Sequence, residues 1–479
     1  MDIAVTSSTL LLFLLAFVST SGASPPSSPS LRFQYINPRN FTAAAAPSVP
    51  SSTTRRPSLQ LLHRDTVSGT KHPSRRHAVL ALASRDTARV AYLQRRLSPS
   101  PSPSSTSSVE SGGTIVSHGS GEYLVRVGIG SPPLEQHLVA DTGSDVIWVQ
   151  CSPCSDCYAQ GDPLFDPANS ASFSPVPCNS GVCRAAARYS SSSCGGGGGE
   201  CEYKVSYGDK SYTNGVLALE TLTLDGGTEV QGVAMGCGHE NRGLFAEAAG
   251  LLGLGWGPMS LVGQLGGAAG GAFSYCLAGY YSGEGSGSGS LVLGREDAAP
   301  TGAVWVPLVR NPDAPSFYYV GVNGLGVAGE RLQLQDGLFD LGDDGGGGVV
   351  MDTGTAVTRL PAEAYAALRG AFAGAFEEGA PRAPGVSLFD TCYDLSGYAS
   401  VRVPTVALYF GGGGQGQEAA SLTLPARNLL VPVDDGGTYC LAFAAVASGP
   451  SILGNIQQQG IEITVDSASG YVGFGPATC

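Results

Sequence analysis

An all-β protein made of two similar halves is the fold this sequence predicts, and three observations carry the prediction. Asp-Thr-Gly occurs twice, as Asp141-Thr142-Gly143 and Asp352-Thr353-Gly354, 211 positions apart and each behind an apolar run. An apolar-apolar-Gly step follows in each half: Leu251-Leu252-Gly253 lies 112 residues after Asp141, and Ile452-Leu453-Gly454 lies 102 after Asp352. Upstream, Tyr123, Gly128, Ile129 and Gly130 are echoed by Tyr319, Gly324, Leu325 and Gly326 at a constant offset of 196. Repetition of this kind argues for two halves of similar architecture.

The elements follow in chain order. Leu10–Val18 is a continuous apolar run ending in Ser21-Gly22-Ala23, the length and small-residue finish of a signal peptide and too short to span a bilayer. Neither Lys nor Arg precedes it, so a plastid transit peptide is the rival reading. Residues 24–60, rich in Ser, Pro and Ala, are expected to lack fixed structure. They contain Asn40-Phe41-Thr42, the only N-glycosylation sequon, with Asn40 as acceptor. Residues 74–97 fit a basic amphipathic helix with Leu82, Val90, Leu93 and Leu97 at helical spacing, either a solvated charged helix or a plug across a cleft. Ser98–Gly113 is a Ser/Pro linker suited to processing.

From Gly121 onward short β-branched and aromatic runs alternate with glycines: Tyr123–Ile129, Leu217–Leu224, Gly232–Met235, Leu291–Leu293, Ser316–Val322, Val401–Tyr409 and Ile461–Val465. Gly195–Gly199, Gly285–Ser290, Asp343–Gly348 and Gly411–Gly414 are expected as surface loops. Pro361 to Phe376 is the clearest helix, with proline in its first turn. The halves are expected to join between Ala298 and Pro315.

Charge is divided unevenly. Residues 24–118 hold 12 Lys/Arg against 3 Asp/Glu, whereas residues 119–479 hold 14 against 35. A basic arm on a neutral body would suggest nucleic acid or membrane. Here the acidic remainder of the same chain is the nearer partner, so no nucleic acid and no stable membrane anchor are expected. All twelve cysteines lie after position 150, as an oxidising compartment favours. Cys151-x-x-Cys154-x-x-Cys157 could bind zinc, but no histidine follows it within 70 residues, and no metal is expected.

One Asp-Thr-Gly alone could be an Asx turn. Two, each followed by a further hydroxyl residue (Ser144 and Thr355), suggest carboxylates brought face to face. Hydrolysing an amide without a metal or a nucleophilic side chain requires one carboxylate to take a proton from water while another group protonates the carbonyl oxygen. Close carboxylates cannot both ionise readily, so Asp141 and Asp352 are expected to titrate as a pair. Only His137 and His239 lie in the later region, neither beside a Gly-x-Ser-x-Gly turn, which disfavours Ser-His-Asp or Cys-His chemistry.

At this point the sequence resembles the pepsin-like aspartic proteases, over roughly Gly121 to the C-terminus. The cysteine-dense stretch from Cys151 to Cys201 is similar to the plant nepenthesin-type, or atypical, subgroup. The resemblance implies a bilobal, pepsin-like acid protease fold, two β-rich lobes with the active site in the cleft between them. The implied lobes are 119–305 and 306–479, after a signal peptide (1–23) and an inhibitory propeptide (24–118). It implies Asp141 and Asp352 as catalytic, Thr142 and Thr353 bracing the loops, Ser144 and Thr355 bonding the outer carboxylate oxygens, and Gly143 and Gly354 leaving room for substrate backbone. Tyr207-Gly208-Asp209 resembles the flap hairpin, Tyr207 being otherwise an ordinary hairpin aromatic, and Trp148 matches the tryptophan that supports the flap tyrosine. Lys210 departs from the pattern, replacing a small residue. The implied disulfides are Cys151–Cys154, Cys157–Cys237, Cys178–Cys201, Cys183–Cys194, Cys276–Cys479 and Cys392–Cys440.

The expected protein is therefore a secreted or vacuolar, cofactor-free, monomeric aspartic endopeptidase acting on peptides and proteins and held by its own propeptide. The alternatives are a non-catalytic binding protein on the same scaffold, resembling plant xylanase inhibitors, and a plastid protease.

Overall fold

The computed structural model describes residues 32–41, 56–97, 122–188, 190–194, 199–207, 211–243, 245, 247–266, 270–279, 288–295, 302–411 and 420–476. Its backbone is one continuous sheet spanning two β-rich lobes. The strand order, by residues, is Tyr123–Ile129, Ser58–His63, Gly289–Leu293, Ala272–Cys276, Ile463–Asp466, Tyr471–Phe474 and Val304–Val309. Strands from both ends of the chain thus lock the lobes together. Val304–Val309 crosses where the join was expected.

The N-terminal lobe is dominated by the long antiparallel pair Tyr212–Leu224 and Thr228–Arg242. Leu217–Leu224 and Gly232–Met235 lie inside these, so glycine-interrupted sequence conceals strands of 13 and 15 residues. The C-terminal lobe adds two four-stranded sheets, one built around Val322–Val327 and Val406–Phe410, the other around Cys392–Asp394 and Thr438–Leu441. The helix Ala362–Ala375 packs Ala364, Tyr365, Leu368 and Phe372 inward on one face. Pro361 sits at its N-cap, one position before the first turn.

Within residues 24–60, the described segments 32–41 and 56–60 are more ordered than their composition suggests. Phe33–Ile36 pairs antiparallel with Val401–Pro404 on the C-terminal lobe, and Ser58–His63 is an interior strand of the continuous sheet. Both gain backbone hydrogen bonds from existing sheet edges, which a reading of local composition cannot register. The helix Arg75–Leu97 lies across the molecule with Leu82, Val90, Leu93 and Leu97 all buried, which selects the plug over the solvated helix. Val79 and Leu82 join a cluster containing Val357, Phe389 and Ile456, while Val90, Leu93 and Leu97 join Phe317, Val350 and Ile452. Burying each such side chain stabilises docking by up to about 3 kcal/mol.

The disulfides correct several expectations. Cys392–Cys440 forms as expected. Cys151 pairs with Cys237, and Cys154 with Cys157, replacing Cys151–Cys154 and Cys157–Cys237. The cause is register: strand Trp148–Gln150 runs parallel to Thr228–Arg242 with Val149 opposite Cys237, which brings Cys151 within 5.4 Å of it, Cα to Cα. Cys183 pairs with Cys201, which excludes both Cys178–Cys201 and Cys183–Cys194. The short helix Gly181–Ala186 turns Cys183 inward against strand Cys201–Ser206, with Cα atoms 5.8 Å apart. Cys178 and Cys276 are also disulfide-bonded. Cys479 and the Asn40 side chain lie outside the described residues.

Candidate active site

Each Asp-Thr-Gly ends a buried strand that runs parallel to the apolar-apolar-Gly step of its own half. Leu134–Asp141 pairs with Gly250–Gly253, Gly253 opposite Asp141. Val349–Met351 pairs with Ser451–Leu453, Leu453 opposite Met351. The glycines closing those steps permit the approach: a Cβ on Gly253 would lie 2.2 Å from the Asp145 carbonyl oxygen, and one on Gly454 2.7 Å from that of Ala356. Two strand ends are thereby delivered to one point from opposite lobes.

The loops brace each other there. Thr142 Oγ1 lies 3.3 Å from Thr353 Oγ1 and accepts from the Thr353 N–H at 3.2 Å, and Thr353 Oγ1 donates to the Ala140 carbonyl at 3.4 Å. Gly143 N–H donates to Asp141 Oδ1 at 3.0 Å, and Gly354 N–H to Asp352 Oδ1 at 3.3 Å. Thr355 Oγ1 donates to Asp352 Oδ2 at 2.6 Å. Ser144 does not match it, since its buried hydroxyl makes no hydrogen bond among the described residues. Asp141 Oδ1 is instead taken by the Gly143 N–H and by an arginine from the docked helix.

That arginine is Arg89. Its Nη2 donates to Asp141 Oδ1 at 2.9 Å and to Asp352 Oδ1 at 2.7 Å, and its Nε donates to Asp352 Oδ2 at 3.0 Å. A single nitrogen therefore bridges the two carboxylates. Its guanidinium fills the space left by the two glycines, for a Cβ on Gly143 would meet Arg89 Nη2 at 2.5 Å and one on Gly354 would meet Arg89 Cζ at 3.1 Å. Burial alone would raise the Asp352 carboxyl. The Arg89 charge and hydrogen bonds from Arg89, Thr355 and the Gly354 N–H more than reverse this, holding it below the usual carboxylate range. Burial likewise works against charge on Arg89, yet Asp141 and Asp352 hold its guanidinium firmly protonated.

Two further ionic contacts flank the plug. Arg85 grips Glu122 bidentately at 2.7 and 2.9 Å, with His63 Nε2 3.4 Å from the same carboxylate. Burial would raise Glu122, but the Arg85 charge and hydrogen bonds from His63 and Arg85 hold it well below its ordinary value. Asp86 accepts from the Ala356 and Val357 N–H groups and pairs with Arg359. Burial keeps its carboxyl above the ordinary value despite those partners.

Tyr207 and Trp148 meet as the resemblance implied, the Trp148 Nε1–H donating to Tyr207 Oη at 2.9 Å. Gly208, Asp209 and Lys210 lie outside the described residues. A cavity lined by Tyr207, Ser206, Lys204, Ser144, Phe317 and the docked Tyr92 opens beneath this tyrosine. Asp145, absent from the sequence expectations, is buried and accepts from the Gly257 N–H at 2.8 Å and from the Ser316 hydroxyl, tying the first loop to the second lobe. Arg89 and Asp86 were missed as well. Their signal was present: Leu82, Asp86, Arg89 and Leu93 follow one another at four, three and four residues, so the charges share the apolar stripe.

Residues 123–295 match the family model described as xylanase inhibitor N-terminal, and residues 317–476 match xylanase inhibitor C-terminal. The chain is 58% identical over 427 residues to Protein ASPARTIC PROTEASE IN GUARD CELL 2 of Arabidopsis thaliana, covering 88% of this chain and 87% of that protein. It is 38% identical over 370 residues to aspartic proteinase nepenthesin-2 of Nepenthes gracilis, covering 76% and 80%. In fold it is similar to the crystal structure of edgp (TM-score 0.60, 19% identity, covering 74% and 91%) and to that of basic 7S globulin from soybean (TM-score 0.57, 19% identity, covering 74% and 91%). Geometry and relatives agree: the chain belongs to the pepsin-like aspartic proteases, in the plant nepenthesin-type group.

Proposed function

We propose that this aspartic-type endopeptidase is made as a secreted zymogen whose Asp141 and Asp352 activate one water between them. The observation that carries the reading is Arg89 Nη2, within hydrogen-bond distance of both carboxylates at once. A position that accommodates one bridging nitrogen accommodates one bridging water once the helix leaves. With the guanidinium gone, two close carboxylates favour sharing a proton. One takes the proton from water as it attacks the peptide carbonyl while the other protonates the carbonyl oxygen; collapse of the resulting diol then breaks the C–N bond, the proton taken from water passing to the leaving amine nitrogen. Thr355 and the Gly143 and Gly354 N–H groups orient the pair, and Tyr207, held by Trp148, closes over the peptide and excludes solvent. Substitution of Asp141→Asn or Asp352→Asn in the processed enzyme is expected to lower peptidase turnover at least about a hundredfold. Undiminished turnover in both variants would overturn the reading.

Residues 24–118 act as the propeptide in this account. Their strands complete the sheet and their helix seals the catalytic carboxylates with a cation, so the basic excess of this segment has its partner within the chain. The apolar run Leu10–Val18 supports entry into the secretory route, to the cell exterior or vacuole, and the disulfides support an oxidising destination. A second reading, a non-catalytic glycanase-binding protein, is favoured by the descriptions of the two matching family models. Both Asp-Thr-Gly loops and the Trp148–Tyr207 pair are intact, which favours catalysis. Processed protein that bound a xylanase stoichiometrically and cleaved no peptide between pH 2 and 7 would reverse that preference.

A further inference from the structure

The docked helix carries, three residues before Arg89, a carboxylate that sits in a site of its own. Asp86 Oδ1 accepts from the Ala356 N–H at 2.7 Å and the Val357 N–H at 2.9 Å, and Asp86 Oδ2 accepts from Arg359 Nη2. Arg359 is 4% exposed and its Nη1 is anchored on the Val357 carbonyl at 2.9 Å. The cradle is also held by contacts outside the helix. Asn455 N–H donates to the Thr355 carbonyl at 2.7 Å and Ile456 N–H to the Ala356 carbonyl at 3.0 Å, which fixes the loop. Thr358 N–H donates to Gln457 Oε1 at 3.3 Å, and strand Thr358–Pro361, which carries Arg359, pairs with Phe443–Val446. When the helix leaves, a positioned guanidinium and two convergent N–H groups lose their acceptor, beside the apolar cluster that contains Val357, Phe389 and Ile456. Unpaired donors in such surroundings are costly, and a carboxylate satisfies all of them together.

We propose that Arg359, with the Ala356 and Val357 N–H groups, forms a substrate subsite for an acidic side chain, and that Asp86 fills it in the full-length chain. The position relative to the chemistry follows from helix geometry. Three residues of helix advance about 4.5 Å along the axis, and an extended peptide advances about 3.3 Å per residue. The acidic residue of a substrate therefore lies about one to two residues from the bond that is cut. The inference rests on the reading of Asp141 and Asp352 as the catalytic pair and of the helix as removable.

The test uses processed enzyme and a set of quenched fluorescent peptides carrying Asp, Glu, Asn or Gln at single positions on either side of one scissile bond. At one position, the Asp or Glu peptide is expected to be cleaved with kcat/KM about tenfold or more above its Asn or Gln counterpart, since hydrogen bonds to a charged group exceed those to a neutral one. Arg359→Gln is expected to bring that acid-to-amide ratio close to one. A flat ratio at every position in the wild-type enzyme would overturn the subsite, as would an acid preference that survived Arg359→Gln. Should Arg359→Gln not fold, the wild-type ratios decide alone. Failure to cleave any peptide, acidic or neutral, would count against the catalytic pair instead. Binding of the same Asp and Asn peptides to the processed protein, read by fluorescence anisotropy, then decides the subsite: tighter binding of the Asp peptide upholds it and equal binding overturns it.

Discussion

Replacing Arg89 by alanine in the full-length protein removes three charge-assisted hydrogen bonds, at 2.7, 2.9 and 3.0 Å, from two buried carboxylates. Removing one partner of a buried ion pair costs about 3–5 kcal/mol. The lower end applies, because Asp141 and Asp352 can relieve their exposure by sharing a proton once the cation is gone. At about 1.4 kcal/mol per tenfold, the helix-displaced population rises roughly a hundredfold or more. The helix would still be held by its apolar stripe, by Arg85 on Glu122 and by Asp86, so the variant stays mostly docked. The assay is titration of purified full-length protein at neutral pH with pepstatin, a transition-state analogue of this class of enzyme. An inhibitor that binds only the open form has its apparent affinity scaled by the open fraction. Arg89→Ala is therefore expected to tighten apparent binding by that same factor of about a hundred, and Arg89→Lys, which lacks the forked geometry, by less. Equal apparent affinity in wild type and Arg89→Ala would refute the claim that this side chain closes the site.

Glu122 and Asp352 are held below the ordinary carboxylate range in the docked state, so their contribution to docking is complete above that range and is lost as pH falls through the depressed values. Asp86 is shifted upward and acts in the opposite sense. Helix release followed by limited proteolysis of the linker is thus expected to accelerate as pH falls below about 4, less steeply in Glu122→Gln and more steeply in Asp86→Asn. Thr355→Val removes the 2.6 Å bond to Asp352 and is expected to lower kcat about tenfold in processed enzyme while leaving KM little changed. Trp148→Phe deletes the 2.9 Å donor to Tyr207 and is expected to raise KM for long peptides more than it lowers kcat, read from initial rates on a peptide length series. Peptide mapping without reduction is expected to recover Cys151–Cys237, Cys154–Cys157 and Cys183–Cys201 as linked fragments.

Much of this architecture is legible in the sequence because its signals are local. An apolar strand ending in Asp-Thr-Gly states its own geometry, and the paired Leu251-Leu252-Gly253 and Ile452-Leu453-Gly454 steps state what lies beside it. Trp148 and Tyr207 follow from the family pattern. What stayed hidden depends on contacts between distant segments. The pairing of Cys151 with Cys237 is set by a parallel strand register that no spacing of cysteines discloses. The strand Phe33–Ile36 is four residues in a Ser/Pro-rich context, ordered only by the edge it meets at Val401–Pro404. Ser144 and Thr355 are equivalent in sequence, yet only Thr355 bonds its carboxylate, a difference of side-chain placement that the repeated motif does not disclose. Arg89 and Asp86 are two charges on an apolar helical stripe, and their partners lie 263 and 273 residues away, at Asp352 and Arg359.

The most direct measurement is an acid-activation time course on purified full-length protein, following peptidase activity and the new N-terminus together. Negligible activity is expected at neutral pH, then, on acidification, activity that rises in step with a cut between residues 98 and 121, and neither event in Asp352→Asn. Full activity at neutral pH with the N-terminal segment intact and docked, or unchanged self-processing and peptidase activity in Asp352→Asn, would contradict it.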